Sequence, residues 1–281
     1  MTRRPVLVRL ARTVALAVII GIGLVNLYQA AIGWTLSDAE AYWDAAMRLR
    51  LGQDLYPVLT SVDASDVYRY APWFAWLAVP FTFLPVPVAG AIWSVILLAA
   101  SAVALMPLVD RRAWILVALF APILVGISAV GNVQPLLIAV LIHGIERRTG
   151  PAWVALAASL KVFPLLLALV YAGRGQWVRF GLSVLFTTLL WAPALMYDLR
   201  GYAVDAGQAA FLFSIPPVYF AVVGLGIGAT LALAATRYGW LTAATTVALS
   251  LPRFFVYDVT YLMLGALPAI RATSRSARSI E

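Results

Sequence analysis

The chain has 281 residues, of which 63% are hydrophobic and only 11% charged. This balance excludes a soluble globular domain, because a water-soluble fold of this size needs far more charge on its surface. The net charge of +8, from 19 arginines and one lysine, indicates membrane topology and anionic lipid, not nucleic acid, and the lack of cysteine excludes disulfides and thiolate sites.

The apolar residues fall in long blocks, and a helix needs about 20 of them to cross the hydrocarbon core. Ala71–Val109 and Ala113–Ile145 are too long for one span, and each carries a helix-breaking signal, at Leu84-Pro85 and at Gly131–Pro135. Dividing both predicts an all-α, polytopic bundle of about ten spans, or eight or nine if short blocks do not cross. The blocks expected to cross once are Thr13–Gly33, Thr149–Gly173, Phe180–Tyr197, Ala206–Thr236, Tyr238–Pro252 and Phe254–Ile270.

The arginines before residue 13 predict a cytoplasmic N-terminus and an uncleaved first helix, Val14–Ala31, within a single membrane domain spanning residues 1–281. Gly33–Tyr70 then lies outside, as does loop 198–217, and tail 271–281 lies inside. This count also leaves four arginines outside, against the usual charge bias. A re-entrant Pro72–Leu84 would move them inside, but it would swap the later loops too; the four are Arg111, Arg112, Arg147 and Arg148.

The outer insertion Gly33–Tyr70 holds six of the twelve acidic residues. Within it, Ser37–Leu51 is predicted to form a helix that Ser37 or Asp38 caps and Gly52 ends. One face of this helix is expected to lie in the membrane interface, with tryptophan at headgroup depth. That face carries Trp43, Ala46, Met47 and Arg50.

Asp38 lies just past the end of the first span, and Tyr42 follows one helical turn later, so both side chains point from one face. A carboxylate at a partly dehydrated boundary can act as a general base, and the alternative is a plain helix cap. Asp38 and Glu40 also resemble a metal-binding acidic pair, but two carboxylates are a weak signal and we expect no metal. Asp44 is a further carboxylate of this helix.

Lys161 interrupts an apolar block near its middle, which is costly unless the ammonium is paired or faces a cavity. It is a candidate ligand for a phosphate, and pairing with Asp258 is the alternative. Arg253, at the mouth of the last span, can bind a phosphate or a lipid headgroup. Asp258 lies one turn inside that span and follows Tyr257.

Arg69 stands in an aromatic segment at the start of the second block. Asn132 and Gln134 sit at the break between two predicted helices, where they can satisfy the broken helix ends or contact a substrate. His143, the single histidine, is expected to be structural. The sequence has no serine-triad, Walker or zinc pattern.

Four stretches resemble glycosyltransferase family 87, a family of polyprenyl-phosphate-mannose-dependent mannosyltransferases in the GT-C superfamily. Two are close to family signatures, Leu160-Lys161-Val162-Phe163-Pro164 and Gly131-Asn132-Val133-Gln134-Pro135, the latter with its two amides exchanged. The chain departs from the family in its short length and in lacking a late-loop histidine, for which Arg253 is a substitute. The other two stretches are Asp38-x-x-x-Tyr42 followed by Gly52-x-Asp54-x-Tyr56, and Tyr70-Ala71-Pro72 with Pro80 and Leu84-Pro85.

The resemblance implies an enzyme that moves a hexose, by default mannose, from a lipid phosphate to a lipid or glycan acceptor with inversion. Asp38 matches the catalytic acid of the first outer loop, and the leaving phosphate needs cations, which Arg253, Lys161 and Arg69 can supply. The substrate-positioning residues are then Tyr42, Glu40, Asp44, Asn132, Gln134, Tyr257 and Asp258.

Two other functions remain open from the residues alone. A transporter or lipid flippase would explain charged residues inside the bundle and the helix break at Asn132, although the acidic residues concentrate in one outer loop. A noncatalytic, truncated relative would explain the short length.

Overall fold

The computed structural model describes residues 36–58, 67–202 and 212–267, with isolated residues of the first apolar segment. The N-terminal arginines, most of the predicted first span, the middle of loop 198–217 and the tail from 271 lie outside the described residues. Every regular element in the described part is a helix, so the predicted all-α fold is confirmed.

In chain order the helices are α1 Ser37–Arg50, α2 Pro72–Ala78, α3 Val86–Asp110, α4 Trp114–Val130, α5 Gln134–Gly144, α6 Gly150–Leu160, α7 Leu169–Gly173, α8 Trp177–Trp191, α9 Pro216–Leu233 and α10 Gly239–Ser250. Four 3₁₀ segments join or extend them: Val79–Phe83, Phe163–Ala168, Ala192–Met196 and Val256–Ala266. Within the described residues, three helices are long and apolar enough to cross a membrane, namely Val86–Asp110, Trp177–Met196 and Pro216–Leu233.

Helix α1 forms where predicted and ends at Gly52, whose φ of 68° is left-handed. The predicted cap is wrong, because Leu36 occupies the N-cap position without a side-chain hydrogen bond. The predicted interfacial face packs on protein instead. The Trp43 indole donates to the carbonyls of Phe81 and Leu84, at the end of the 3₁₀ segment Val79–Phe83.

Both long apolar blocks divide where the sequence predicted. In the first, Leu84 and Pro85 are extended between Val79–Phe83 and α3. In the second, α4 ends at Gly131, whose φ is 85°. A Cβ at Gly131 would lie 2.6 Å from that of Ala39, so glycine also lets α1 approach this break.

The segment formed by α2 and Val79–Phe83 does not traverse the bundle. Its start and its end both lie beside α1, since Tyr70 accepts a hydrogen bond from Tyr42 while Phe81 accepts one from Trp43. This arrangement agrees with the alternative in which Pro72–Leu84 is a re-entrant segment and not a span.

Thr149–Gly173 was predicted as one span, and that prediction is wrong. The chain runs out along α6, turns at Lys161 and returns, so that the Tyr171 hydroxyl donates to the Ile145 carbonyl beside the start of α6. The helix stops because Lys161 is extended and Pro164 has no amide hydrogen to continue it.

Either of these two reversals alone would invert the direction of every later helix. Together they leave that direction as the ten-span count predicted, so the later loops do not change sides. The four arginines at positions 111, 112, 147 and 148 therefore lie at the end of the bundle opposite Asp38, and not beside it as the ten-span count predicted. Arg174, Arg179 and Arg237 lie at that opposite end as well, as their contacts with residues 145–147 and the α9–α10 turn show.

The central helices are short. α5 and α6 have 11 residues each, about 16 Å, whereas α3 has 25 residues, about 37 Å. The Trp93 indole donates to the Gly131 carbonyl and so places the α4–α5 break about 10 Å inside the first residue of α3. The start of α5 and the end of α6 thus lie below the first turns of α3, in a recess against which α1 packs.

Candidate functional site

The recess brings Asp38 of α1 to the break between α4 and α5. The Asn132 amide donates to Asp38 Oδ2 at 3.0 Å, and Asn132 Oδ1 accepts the Gln134 backbone amide at 2.9 Å. Asn132 therefore satisfies the start of α5, which is one of the two roles expected for it, and it binds the Asp38 carboxylate at the same time.

Gln134 extends the contacts from Asn132 to Lys161. Its Oε1 accepts a hydrogen bond from Lys161 Nζ at 3.0 Å, and its Nε2 donates to the Thr260 hydroxyl at 3.1 Å. Gln134 is fully buried, so these two bonds fix the orientation of its amide. The amide then holds the ammonium of Lys161 at the outer end of α6.

Lys161 also lies 3.5 Å from Asp258 Oδ1 and 4.5 Å from the centre of the Tyr257 ring. Asp258 is 2% exposed, and its other oxygen accepts the Phe255 amide at 2.9 Å. The pairing alternative for Lys161 is thus observed. The Lys161 side chain is nevertheless 15% exposed, compared with 2% for that of Asp258.

Burial raises the pKa of Asp38 above that of an exposed aspartate. The hydrogen bond from Asn132 and the charges of Lys161 and Arg69 lower this pKa, but burial prevails. The carboxylate is consequently more basic than one in water, which suits proton abstraction.

Arg69 is the second cation near Asp38. Its guanidinium is partly buried and interacts electrostatically with Asp38 and Tyr257. Its backbone carbonyl accepts a hydrogen bond from Tyr202 at 3.4 Å, which ties the loop after α8 to the insertion. Asp38 is therefore close enough to two positive charges, those of Lys161 and Arg69, for both to lower its pKa.

Tyr42 lies one turn beyond Asp38 and is buried. Its hydroxyl donates to that of Tyr70 at 3.0 Å, and Tyr56 donates to the Tyr70 carbonyl at 2.7 Å. These bonds hold the two ends of the insertion together, and they position α1 and hence Asp38.

The remaining predicted residues are less central. Glu40 lies on α1 about 200° around the helix axis from Asp38, and Asp44 lies six residues after Asp38. Arg253 is partly buried in the loop after α10, at the same end of the bundle as Asp38. Lys161 is joined to the site by its hydrogen bonds to Gln134 and Asp258.

Two participants were missed by sequence reasoning, Thr260 and Tyr202. Neither stands in a motif, and each is recognisable only by its contact with a residue more than 120 positions away. Among the described residues, no group of three or more histidine, aspartate or glutamate side chains is arranged to hold a metal ion.

Residues 68–203 match the model of glycosyltransferase family 87. Over just under half of its length, the chain is therefore similar to that family. No curated protein and no solved structure matches the chain.

The family 87 match, together with the three long apolar helices, indicates a membrane glycosyltransferase that uses a sugar donor and an acceptor. The match includes Arg69, Asn132, Gln134 and Lys161, and it leaves out Asp38, Arg253, Tyr257 and Asp258. The recess joins the two groups, because Asp38 binds Asn132 and Asp258 pairs with Lys161.

Proposed function

We propose that the protein transfers a hexose, by default mannose, from a polyprenyl-phosphate donor to a lipid or glycan acceptor with inversion, using Asp38 as general base. The observation that carries this proposal is the hydrogen-bonded cluster in which Asp38, with a raised pKa, lies near two cations, Lys161 and Arg69. Transfer from a lipid phosphate requires one base and a positive environment for the leaving group.

In the proposed step an acceptor hydroxyl oxygen attacks the anomeric carbon of the donor, and its proton passes to Asp38. The bond between the anomeric carbon and the phosphate oxygen breaks, and the phosphate leaves with the electron pair. Lys161 and Arg69 stabilise that charge, and Arg253 is a further candidate ligand of the phosphate. Attack from the side opposite the phosphate inverts the anomeric centre.

We further propose a multi-pass protein of the cell membrane with Asp38 on the outer face and the N-terminus in the cytoplasm. Seven arginines lie at the end of the bundle opposite Asp38, which agrees with the excess of positive charge in cytoplasmic loops. The chain has no cysteine, so single cysteines can be placed at will. In intact cells a membrane-impermeant maleimide should label Asp54→Cys and leave Arg148→Cys unlabelled; the reverse pattern would contradict this orientation.

The activity is tested by incubating the purified protein with radiolabelled polyprenyl-phosphate mannose and membrane lipids. We expect a labelled product whose anomeric configuration is opposite to that of the donor. Retention of configuration would exclude the single displacement. Labelled product with a glucose donor and none with a mannose donor would mean that the transferred hexose is glucose, and the proposed mechanism would be unchanged.

The buried Lys161–Asp258 pair at a helix break also favours a second candidate, a transporter or flippase. Movement of a labelled polyprenyl-phosphate sugar across proteoliposomes without a transferred product would support that alternative. Neither movement nor transfer with any sugar donor would support a noncatalytic relative.

A further inference from the structure

An aromatic surface lies on the outer side of Arg69, where the loop after α8 meets α2. We call it the aromatic rim and define it by Trp76, Tyr197, Asp198, Arg200 and Tyr202. The Trp76 indole is 44% exposed and donates to the Tyr197 hydroxyl at 3.0 Å. The mechanism proposed above uses none of these side chains.

The aromatic rim is held rigidly on the insertion. Tyr56 packs edge-on against Tyr197 and Tyr202, with ring centres 6.3 and 5.4 Å apart. A Cβ at Gly201 would lie 2.1 Å from the Tyr56 carbonyl oxygen, so only glycine permits this contact. Because the loop backbone lies directly on the insertion, packing against Tyr56 fixes the positions of Tyr197 and Tyr202.

An exposed ion pair completes the rim. Arg200 donates to both oxygens of Asp198, at 2.8 Å and 2.5 Å from Nε and Nη2 to Oδ2 and at 3.1 Å to Oδ1. Asp198 and Arg200 remain 37% and 83% exposed. The rim thus places the exposed Trp76 and two partly buried tyrosines beside a carboxylate and a guanidinium that are open to solvent.

We propose that the aromatic rim binds a saccharide ring of the acceptor. Aromatic rings offer flat apolar surfaces that match the C–H face of a pyranose, while a carboxylate and a guanidinium match pairs of neighbouring sugar hydroxyls. The rim is continuous with the site, since Tyr202 binds the Arg69 carbonyl and Arg69 interacts with Asp38. This proposal deepens the proposed function and rests on it, because it makes the acceptor a glycan or a glycolipid.

The rim can be tested by binding alone. Saturation-transfer NMR on the full chain in lipid nanodiscs would measure the affinity for methyl α-D-mannopyranoside. Mannitol, which has hydroxyls but no ring face, is the ligand control and should not bind. We expect Arg200→Gln, Asp198→Asn and Trp76→Leu each to weaken glycoside binding about tenfold, the effect of one good polar contact.

Matched controls lie at the opposite end of the bundle. Arg237→Gln removes an exposed arginine and Trp177→Leu an exposed tryptophan, and both should bind the glycoside as the wild type does. If the wild type fails to bind the glycoside, or if all three rim variants bind like the wild type, the rim is an interfacial anchor and the proposal is wrong.

Turnover of polyprenyl-phosphate mannose without added acceptor separates this proposal from the proposed function. Rim variants should release mannose to water at the wild-type rate. Glycoside binding with no transfer from the donor to membrane lipids would refute the proposed function and leave the rim as a saccharide site. Donor turnover with glycoside binding unaffected by the rim variants would refute the rim alone.

Discussion

The two ends of α5 carry polar clusters of similar composition and different construction. At its start, Asp38, Lys161 and Asp258 surround the amides of Asn132 and Gln134. About 16 Å away, at its end, Glu146 pairs with Arg174 at 2.9 Å and accepts a hydrogen bond from the Trp240 indole.

We call the cluster at the end of α5 the distal cluster. Its arginines donate hydrogen bonds to carbonyls at helix C-termini. Arg174 Nε donates to the Ala234 carbonyl at 2.7 Å, just past α9, and Arg179 donates to the Ile145 carbonyl at 3.1 Å, just past α5. Carbonyls at helix C-termini have no helical partner, and a guanidinium satisfies several of them in a fixed geometry. This cluster therefore holds the helix ends together.

The cluster at the site is held more loosely. Lys161 lies 3.5 Å from Asp258 and is anchored by a neutral amide at 3.0 Å. An ammonium is a compact charge on a flexible stem, so its position is fixed less rigidly than that of a guanidinium. The difference teaches that two ion pairs of comparable burial can be held by different kinds of partner, helix-end carbonyls in one cluster and a neutral side-chain amide in the other.

The largest expected effect comes from Asp38→Asn. The amide retains the shape and cannot accept the proton, so transfer should fall by a factor of about 10²–10⁴ or more. Product formation from labelled polyprenyl-phosphate mannose measures it, with Asp54→Asn, an exposed site on the same insertion, as the control. Equal activity in Asp38→Asn and the wild type would remove Asp38 as the base.

The next effect is that of Lys161→Met, which removes the cation and leaves Asp258 without its ion-pair partner. We expect kcat/KM for the donor to fall about 10²–10³-fold through lost stabilisation of the leaving phosphate. The double variant Lys161→Met with Asp258→Asn removes the uncompensated charge. If the double variant regains wild-type transfer, Lys161 is structural and not a phosphate ligand.

Glu146→Gln tests the distal cluster. Because it weakens charge-assisted bonds to Arg174 and Trp240, the free energy of unfolding should fall by about 1–3 kcal/mol. A thermal shift in detergent measures the loss, and transfer per folded molecule should be unchanged. Loss of transfer at unchanged stability would mean that the two clusters are functionally coupled.

The smallest effect is expected of Asn132→Ala. The hydrogen bond from Asn132 lowers the pKa of Asp38, so its removal should raise that pKa further. The base acts only when deprotonated. The acidic limb of the pH profile of kcat/KM should therefore move to higher pH. Activity should fall most at pH values below the midpoint of that limb. A limb that stays in place or moves to lower pH would show that the bond does not control the base.

The sequence predicted the individual site residues better than their arrangement. Asp38, Asn132 and Lys161 were selected as a boundary carboxylate, a helix-break amide and a buried cation. Their contacts, and the role of Thr260, depend on helix packing between residues about 30 to 126 positions apart, which no local pattern encodes.

What the sequence determined by itself follows from local chemistry. The apolar blocks require helices in a membrane, and Pro85 and Gly131 interrupt helices wherever those helices lie. Only the tertiary structure decided that α2 stays beside α1 and that the chain reverses at Lys161, because both depend on contacts with distant segments. Those two reversals place seven arginines opposite Asp38 and bring Asp38 close to Lys161 and Arg69.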